Sequence, residues 1–308
     1  NIVEVLEANV QRHPDREAYV FHPGGQRMSW RQVGEQVDRA AARLRRDHGF
    51  GKRDRLCLLT LGCPEYVIAY LAILKLGGIA VPVNLGLTAD GLAAQIDKVG
   101  ARGLVVSPEI WRGRLDAARE RLGSVEAVFM TGGEAAAGTL AFPELLREGA
   151  GPAVREDVDE WDVCAISFTS GTTGVPKGTM AMHLNALGCA RNVVTVARGL
   201  GADDVNLCMP PLYHNTAVYT DFMPALLTGG RCVVMEAFAP LQALELIERE
   251  RVTWAVGAPI MFWMMMNHPD FAKHDCSTLK KILFGGHAAS ETYIRQLKAC
   301  FDPVSMVN

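Results

Sequence analysis

The chain has 308 residues, 49% of them hydrophobic and 21% charged, which is ample apolar content for a buried core. A formal net charge of −3 gives no electrostatic case for nucleic acid or an anionic membrane surface. Eight scattered cysteines with no C-x-x-C pair, and eight histidines without ligand spacing, exclude a disulfide frame or zinc site and point to a reducing, cytoplasmic setting.

Helical and extended patterns alternate along the chain. Ser29 with Gln32 makes a capping box ahead of Val33, Val37, Ala40, Ala41 and Leu44, which predicts an amphipathic helix ending at Gly49. A strand over 55–59, a helix over 64–76 and a strand over 79–83 follow. The apolar run 66–87 is long, but Lys75, Gly77-Gly78 and Pro82 interrupt it, so it reads as helix, turn and strand rather than a membrane span. Thr88 opens another helix, then come a strand at 103–106, a helix to Leu122 and a strand at 125–130. The polar stretch 131–162 breaks this rhythm and reads as a linker. Beyond it, strands are expected at 163–166, 205–209, 231–235, 253–257 and 279–284, with helices between them. Short apolar strands separated by helices imply an α/β fold with mainly parallel sheets covered on both faces.

The chemistry is concentrated after the strand at 163–166. Phe168-Thr169-Ser170-Gly171-Thr172-Thr173-Gly174-Val175-Pro176-Lys177-Gly178 packs hydroxyls, glycines and one lysine into a single loop. Backbone N–H groups and hydroxyls there suit an anion, glycine permits close approach to a phosphate, and the Lys177 ammonium neutralises charge. The Walker pattern G-x-x-x-x-G-K-[ST] is absent, because Gly178 follows the lysine, which argues against a P-loop kinase or GTPase. The structural alternative is a Gly/Thr-rich surface turn.

This loop resembles the signature [YF]-T-S-G-[ST]-T-G-x-P-K-G of the adenylate-forming enzymes: acyl-CoA ligases, luciferases and peptide-synthetase adenylation domains. Further matches in the same order fall at 15–18, 29–33, 52–59, 77–84, 211–214 and 279–286. The resemblance implies the layered αβαβα N-terminal domain of that family. Its two mainly parallel sheets would divide the chain approximately at 155/156, with N-terminal segments interleaved into the second lobe and the phosphate loop and acyl pocket in 156–308. It also implies ATP and Mg2+, a small-molecule carboxylic acid, and coenzyme A or the phosphopantetheine of an acyl carrier protein as thiol acceptor. The family's Y-G-x-T-E element, ribose aspartate and C-terminal lysine domain follow the segment matched by 304–308. Their absence, and the lack of an initiator methionine, read as a fragment of a larger enzyme.

Carried over residue by residue, the resemblance assigns nucleotide binding to Thr169, Ser170, Gly171, Thr172, Thr173, Gly174 and Lys177, and to Gly285, Gly286, His287 and Ala288. Ala288 stands where the family's G-G-x-P element has proline. Lys177 and His214 are the expected catalytic residues, the latter in Pro211-Leu212-Tyr213-His214. Adenylation and thiol transfer both join anions, so the catalysis implied is positioning and charge stabilisation. His183 and Asn185 match an H-x-N pair whose structural reading is capping of the next helix.

The acid is expected to meet His214, Val218, Asp221, Phe222 and Gly286, with Met261, Phe262 and Met265 adding apolar lining. Asp221 interrupts an otherwise apolar segment. It reads either as an N-cap with Pro224 in the first turn, or as the receptor of a substrate ammonium. Its spacing from His214 resembles stand-alone enzymes that activate β-amino acids for macrolactam assembly, so the favoured substrate is a β-amino acid passed to a carrier protein. An acyl-CoA ligase for a fatty or aromatic acid is the alternative, followed by a catalytically silent nucleotide-binding homologue.

Overall fold

A computed structural model describes residues 1–149, 151, 154–169, 177–286 and 288–307. Two strands open the chain, β1 (Glu17–His22) and β2 (Arg27–Ser29). Seven follow: β3 (Arg55–Leu59), β4 (Ile79–Pro82), β5 (Gly103–Val106), β6 (Ala127–Met130), β7 (Leu140–Ala141), β8 (Val163–Thr169) and β9 (Lys177–Met182). The last five are β10 (Val205–Cys208), β11 (Arg231–Met235), β12 (Trp254–Gly257), β13 (Lys281–Phe284) and β14 (Ser305–Val307).

These strands form two sheets, ordered β7-β6-β5-β3-β4-β8-β9 and β14-β13-β12-β10-β11-β1-β2. Only the pairs β8–β9 and β1–β2 are antiparallel among the described ladders, and each stands at one edge of its sheet. Strands β4, β5 and β6 are buried at every position, as parallel strands covered on both faces must be. The α/β expectation of two mainly parallel sheets therefore holds.

The chain divides into two compact units, residues 1–10 with 31–186, and residues 11–30 with 187–308. The expected cut at 155/156 moves to 186/187 because β8 pairs with β4, and β9 with β8. Both flanks of the Gly/Thr loop thus belong to the first unit, not to the second lobe. The stretch 131–162 is not wholly linker either. Two of its residues form β7, which pairs with β6, and Phe142 is buried in a 3₁₀ turn.

In the first unit, the helix Trp30–His48 buries Val33, Val37, Ala40, Ala41 and Leu44, as its spacing predicts. It ends at Gly49, whose φ of 67° lets Phe50 N–H reach the Leu44 carbonyl at 2.9 Å. The helix Pro64–Lys75 is buried from Tyr66 onward. Lys75 closes it with ion pairs to Glu7 at 3.2 Å and Asp38 at 2.5 Å. Among the described residues, no helix is long and apolar enough to cross a membrane. All eight cysteines are free.

In the second unit, Leu244, Ile247, Phe262, Met265, Ile282 and Leu297 share one buried core. A charged knot closes the sheet edge formed by β1 and β2. Glu250, 2% exposed, accepts from Arg27 at 2.6 Å and Arg249 at 3.1 Å, with Arg231 at 3.6 Å. Arg27 and Arg231 also pair with Glu17, at 2.9 and 2.6 Å. Burial alone would raise the Glu250 carboxyl, but hydrogen bonds from Arg27 and Arg249 and the surrounding positive charge hold it below its ordinary value.

Candidate functional site

The second unit holds a cavity of about 670 Å³ at the C-terminal ends of its central strands. Parallel sheets commonly bind ligands there, where loops leave the strand ends. The loop after β10 supplies Pro211, His214, Thr216 and Thr220. The end of β12 and the helix Pro259–Met266 after it supply Val256 and Met261, and the end of β13 supplies Phe284, Gly285 and Gly286. His214, Gly285 and Gly286, far apart in sequence, therefore line one space.

Pro210 and Pro211 end β10, since neither can donate to a ladder. The chain then turns, with His214 N–H on the Pro211 carbonyl at 2.9 Å and Val218 N–H on the His214 carbonyl at 3.2 Å. The His214 ring tilts against Tyr213, with ring centroids 4.7 Å apart. Desolvation of the ring lowers its pKa below the usual histidine value, so the imidazole is neutral at pH 7. After β13, Gly285 N–H bonds the Gly257 carbonyl at 3.3 Å and Gly286 takes a φ of 85°, a backbone that excludes most side chains. Ala288 does not join this cavity. It lines a separate groove with Pro259, Ile260, Trp263 and Tyr293.

The segment Ala217–Phe222 is a π-helix. Two local features widen this turn. Thr220 Oγ1 donates to the Thr216 carbonyl at 2.6 Å, and Pro224 has no amide to close an α-turn onto Thr220. The wider turn rotates the expected face. Thr216 and Thr220 line the cavity, whereas Val218, Asp221 and Phe222, expected there, are at most 2% exposed and do not. Phe222 instead packs on Tyr19, with centroids 5.7 Å apart. Phe262 and Met265 belong to the core, and only Met261 of the three expected apolar residues lines the cavity.

One of the two roles expected of Asp221, the N-cap, is overturned. The helix Met223–Thr228 begins after Phe222, so Asp221 is no N-cap. Its carboxyl is fully buried and accepts from Asn206 Nδ2 at 3.0 Å. Asn206 Oδ1 in turn accepts from Cys232 Sγ at 3.2 Å. Burial pushes the Asp221 carboxyl well above the ordinary carboxylate range, and the hydrogen bonds from Asn206, Thr220 and the Val256 backbone only partly offset this. Sequence reasoning missed Asn206, Thr216 and Thr220. The signals were present: a lone amide in the apolar strand β10, and two threonines at helical i, i+4 spacing.

In the first unit, Thr169 of β8 pairs in register with Lys177 of β9, so the intervening loop joins two adjacent strand ends. Lys177 is exposed. Ser170, Gly171, Thr172, Thr173 and Gly174, and His287 in the second unit, lie outside the described residues. His183 and Asn185 are structural. Asn185 Oδ1 accepts from Met182 N–H at 3.1 Å, half of a capping box, and buried His183 accepts from Ile2 N–H at 3.3 Å. Among the described residues, no three His, Cys, Asp or Glu side chains converge as metal ligands.

A family model described as AMP-binding enzyme matches residues 6–308. The medium-chain acyl-CoA ligase ACSF2, mitochondrial, of Mus musculus is 30% identical over 96% of this chain and 52% of its own length. A feruloyl-CoA synthase of Amycolatopsis sp. is 32% identical over 85% of this chain and 50% of its own. The crystal structure of the anthranilate CoA ligase AuaEII in complex with anthranoyl-AMP matches 100% of this chain and 60% of that one, with a TM-score of 0.92. At 24% identity, that likeness is one of fold. The chain spans about half the length of the curated relatives it matches.

Proposed function

We propose that this chain, which belongs to the AMP-binding enzyme family, carries the acid-binding part of an enzyme that activates a carboxylic acid with ATP and passes it to coenzyme A. In the first step a carboxylate oxygen bonds to the α-phosphorus, the bond to the β,γ-phosphates breaks, and pyrophosphate leaves. In the second, a thiol sulfur bonds to the acyl carbon, the acyl–oxygen bond breaks, and AMP leaves. The observation that carries this reading is the largely apolar cavity shared by His214, Gly285 and Gly286. Three residues picked for one chemistry meet around a space of substrate size.

The thiol's proton needs an acceptor, and a neutral imidazole at His214 supplies one. Lys177 and the Thr/Gly loop before it are assigned to the phosphates, on the chemistry of their side chains. Coenzyme A is favoured over a carrier protein because the two curated relatives named above are CoA-forming enzymes by description. The β-amino acid reading is less favoured. It needs the Asp221 carboxylate to meet a substrate ammonium, and that group is enclosed against Asn206.

ATP–pyrophosphate exchange by the full-length enzyme tests the reading, with a panel of fatty, aromatic and 3-amino acids. Exchange with fatty or aromatic acids, followed by acyl-CoA formation, is expected. Lys177→Ala should slow exchange about 100-fold, the scale of losing one charge-stabilising group. No exchange with any acid would overturn the proposal. Exchange confined to 3-amino acids would return Asp221 to substrate binding.

A further inference from the structure

We propose that Thr220 is the specificity-determining residue of the cavity, accepting a hydrogen bond from a hydroxyl group on the chain or ring of the substrate acid. The inference rests on the adenylation reading above and names the substrate class of that site.

The threonine hydroxyl has one proton and two lone pairs. Its proton has two acceptors within the fold, the Thr216 carbonyl and, at 3.4 Å, Asp221 Oδ2. Thr220 Oγ1 donates to the Thr216 carbonyl at 2.6 Å, within the π-turn that both residues build. Toward the cavity, Thr220 can therefore act only as an acceptor. A hydroxyl proton is the neutral donor that meets it.

The surroundings sharpen the choice. Val256, Met261, Leu283 and Phe284 make an apolar wall, so a polar group on the acid is satisfied at His214, at the Gly285–Gly286 backbone, or on the Thr216–Thr220 side. Behind Thr220 stands Asp221, its Oδ2 at 3.4 Å from Thr220 Oγ1 and its Oδ1 held by Asn206. This enclosed carboxyl has no cation among its described hydrogen-bond partners, and the residue has no surface in the cavity. It backs Thr220 and fixes the turn without touching the ligand. An ammonium in the same place would gain a counter-charge only if the fully buried acid gave up its proton to solvent, whereas a hydroxyl needs no such ionisation. The site thus favours a neutral hydrogen-bond donor over a cationic one.

The test compares kcat/KM in ATP–pyrophosphate exchange by the full-length enzyme for matched acids. The pairs are 4-hydroxycinnamate with cinnamate and 3-hydroxydecanoate with decanoate; 3-aminodecanoate is the cationic control. In the wild type, one hydroxylated acid should exceed its parent about tenfold, the value of one net hydrogen bond. Thr220→Val should bring that ratio to about one, and Thr220→Ser should restore most of it. A ratio near one for both pairs in the wild type overturns the inference while leaving adenylation intact. Absence of exchange with every acid overturns the adenylation reading itself. A preference for 3-aminodecanoate that survives Thr220→Val but disappears in Asp221→Asn also overturns it, in favour of Asp221. Thermal melting of each variant separates altered recognition from loss of fold.

Discussion

Two carboxylates in the second unit are almost equally buried, and they behave in opposite ways. Glu250, at 2% exposure, lies among Arg27, Arg231 and Arg249, and its pKa is held down. Asp221, fully buried, meets an amide and a hydroxyl, and its pKa is driven up. Burial sets the cost of charge in both places, and the partner decides whether the charge remains. Glu250 is an anion that ties a sheet edge together. Asp221 is an acid that holds its proton more tightly than usual, in a turn behind a cavity.

Substitutions at the two sites can break this contrast. The largest effect is expected at the arginine knot. Glu250→Ala would leave Arg27 and Arg231 short of a shared partner and should destabilise the fold by about 3 kcal/mol, at the low end for a buried pair because both arginines keep contact with water. A urea midpoint within error of wild type would show that the arginines repack onto Glu17. Next in size is Asn206→Ala, which removes the donor to Asp221 and the acceptor for Cys232. About 2 kcal/mol should be lost, read by the same titration. The smallest effect is expected from Asp221→Asn below about pH 4, within about 1 kcal/mol, since an amide can there replace a carboxyl that is protonated folded and unfolded alike.

A pH series sharpens the comparison, because protonation acts with opposite sign at the two acids. The folded pKa of Glu250 lies below its unfolded value, so its contribution is present above about pH 4 and lost as pH falls through the depressed value. The folded pKa of Asp221 lies above its unfolded value. Its cost is absent below about pH 4 and grows as pH rises toward the raised value. Urea midpoints from pH 3 to 8 should therefore show Glu250→Gln losing most relative to wild type near neutrality. Asp221→Asn should gain on wild type over the same rise. Parallel curves for the two variants would mean that the acids share one charge state.

Much of this architecture was legible because it rests on pattern. The runs that became β3, β5 and β11 are short, apolar and bounded by helical periodicity, and the capping box at Ser29 marked its helix. β7 and β14 were missed because two or three residues carry no periodicity. β9 was missed because its exposed residues lack the apolar alternation of a half-buried strand. In the site, His214, Gly285 and Gly286 stood at strand ends, where a glycine or a proline pair is visible in the letters. Val218, Asp221 and Phe222 were expected at the acid because they follow the His214 motif in a mostly apolar segment, which does not show which face meets the cavity. The π-turn moves that face to Thr216 and Thr220, and it arises from a side-chain hydrogen bond that the sequence does not display.

The pairing of β1 with β11 has a consequence for biosynthesis. Tyr19 lies opposite Cys232, so β1 must wait for a neighbour encoded about two hundred residues later. At ribosomal speeds of about 5–20 residues per second, that delay is on the order of 10–40 s. During it, Ala18, Tyr19, Val20 and Phe21, all buried in the finished fold, have only the short β1–β2 hairpin for cover. The nascent chain therefore carries a sticky, half-made sheet edge for that interval.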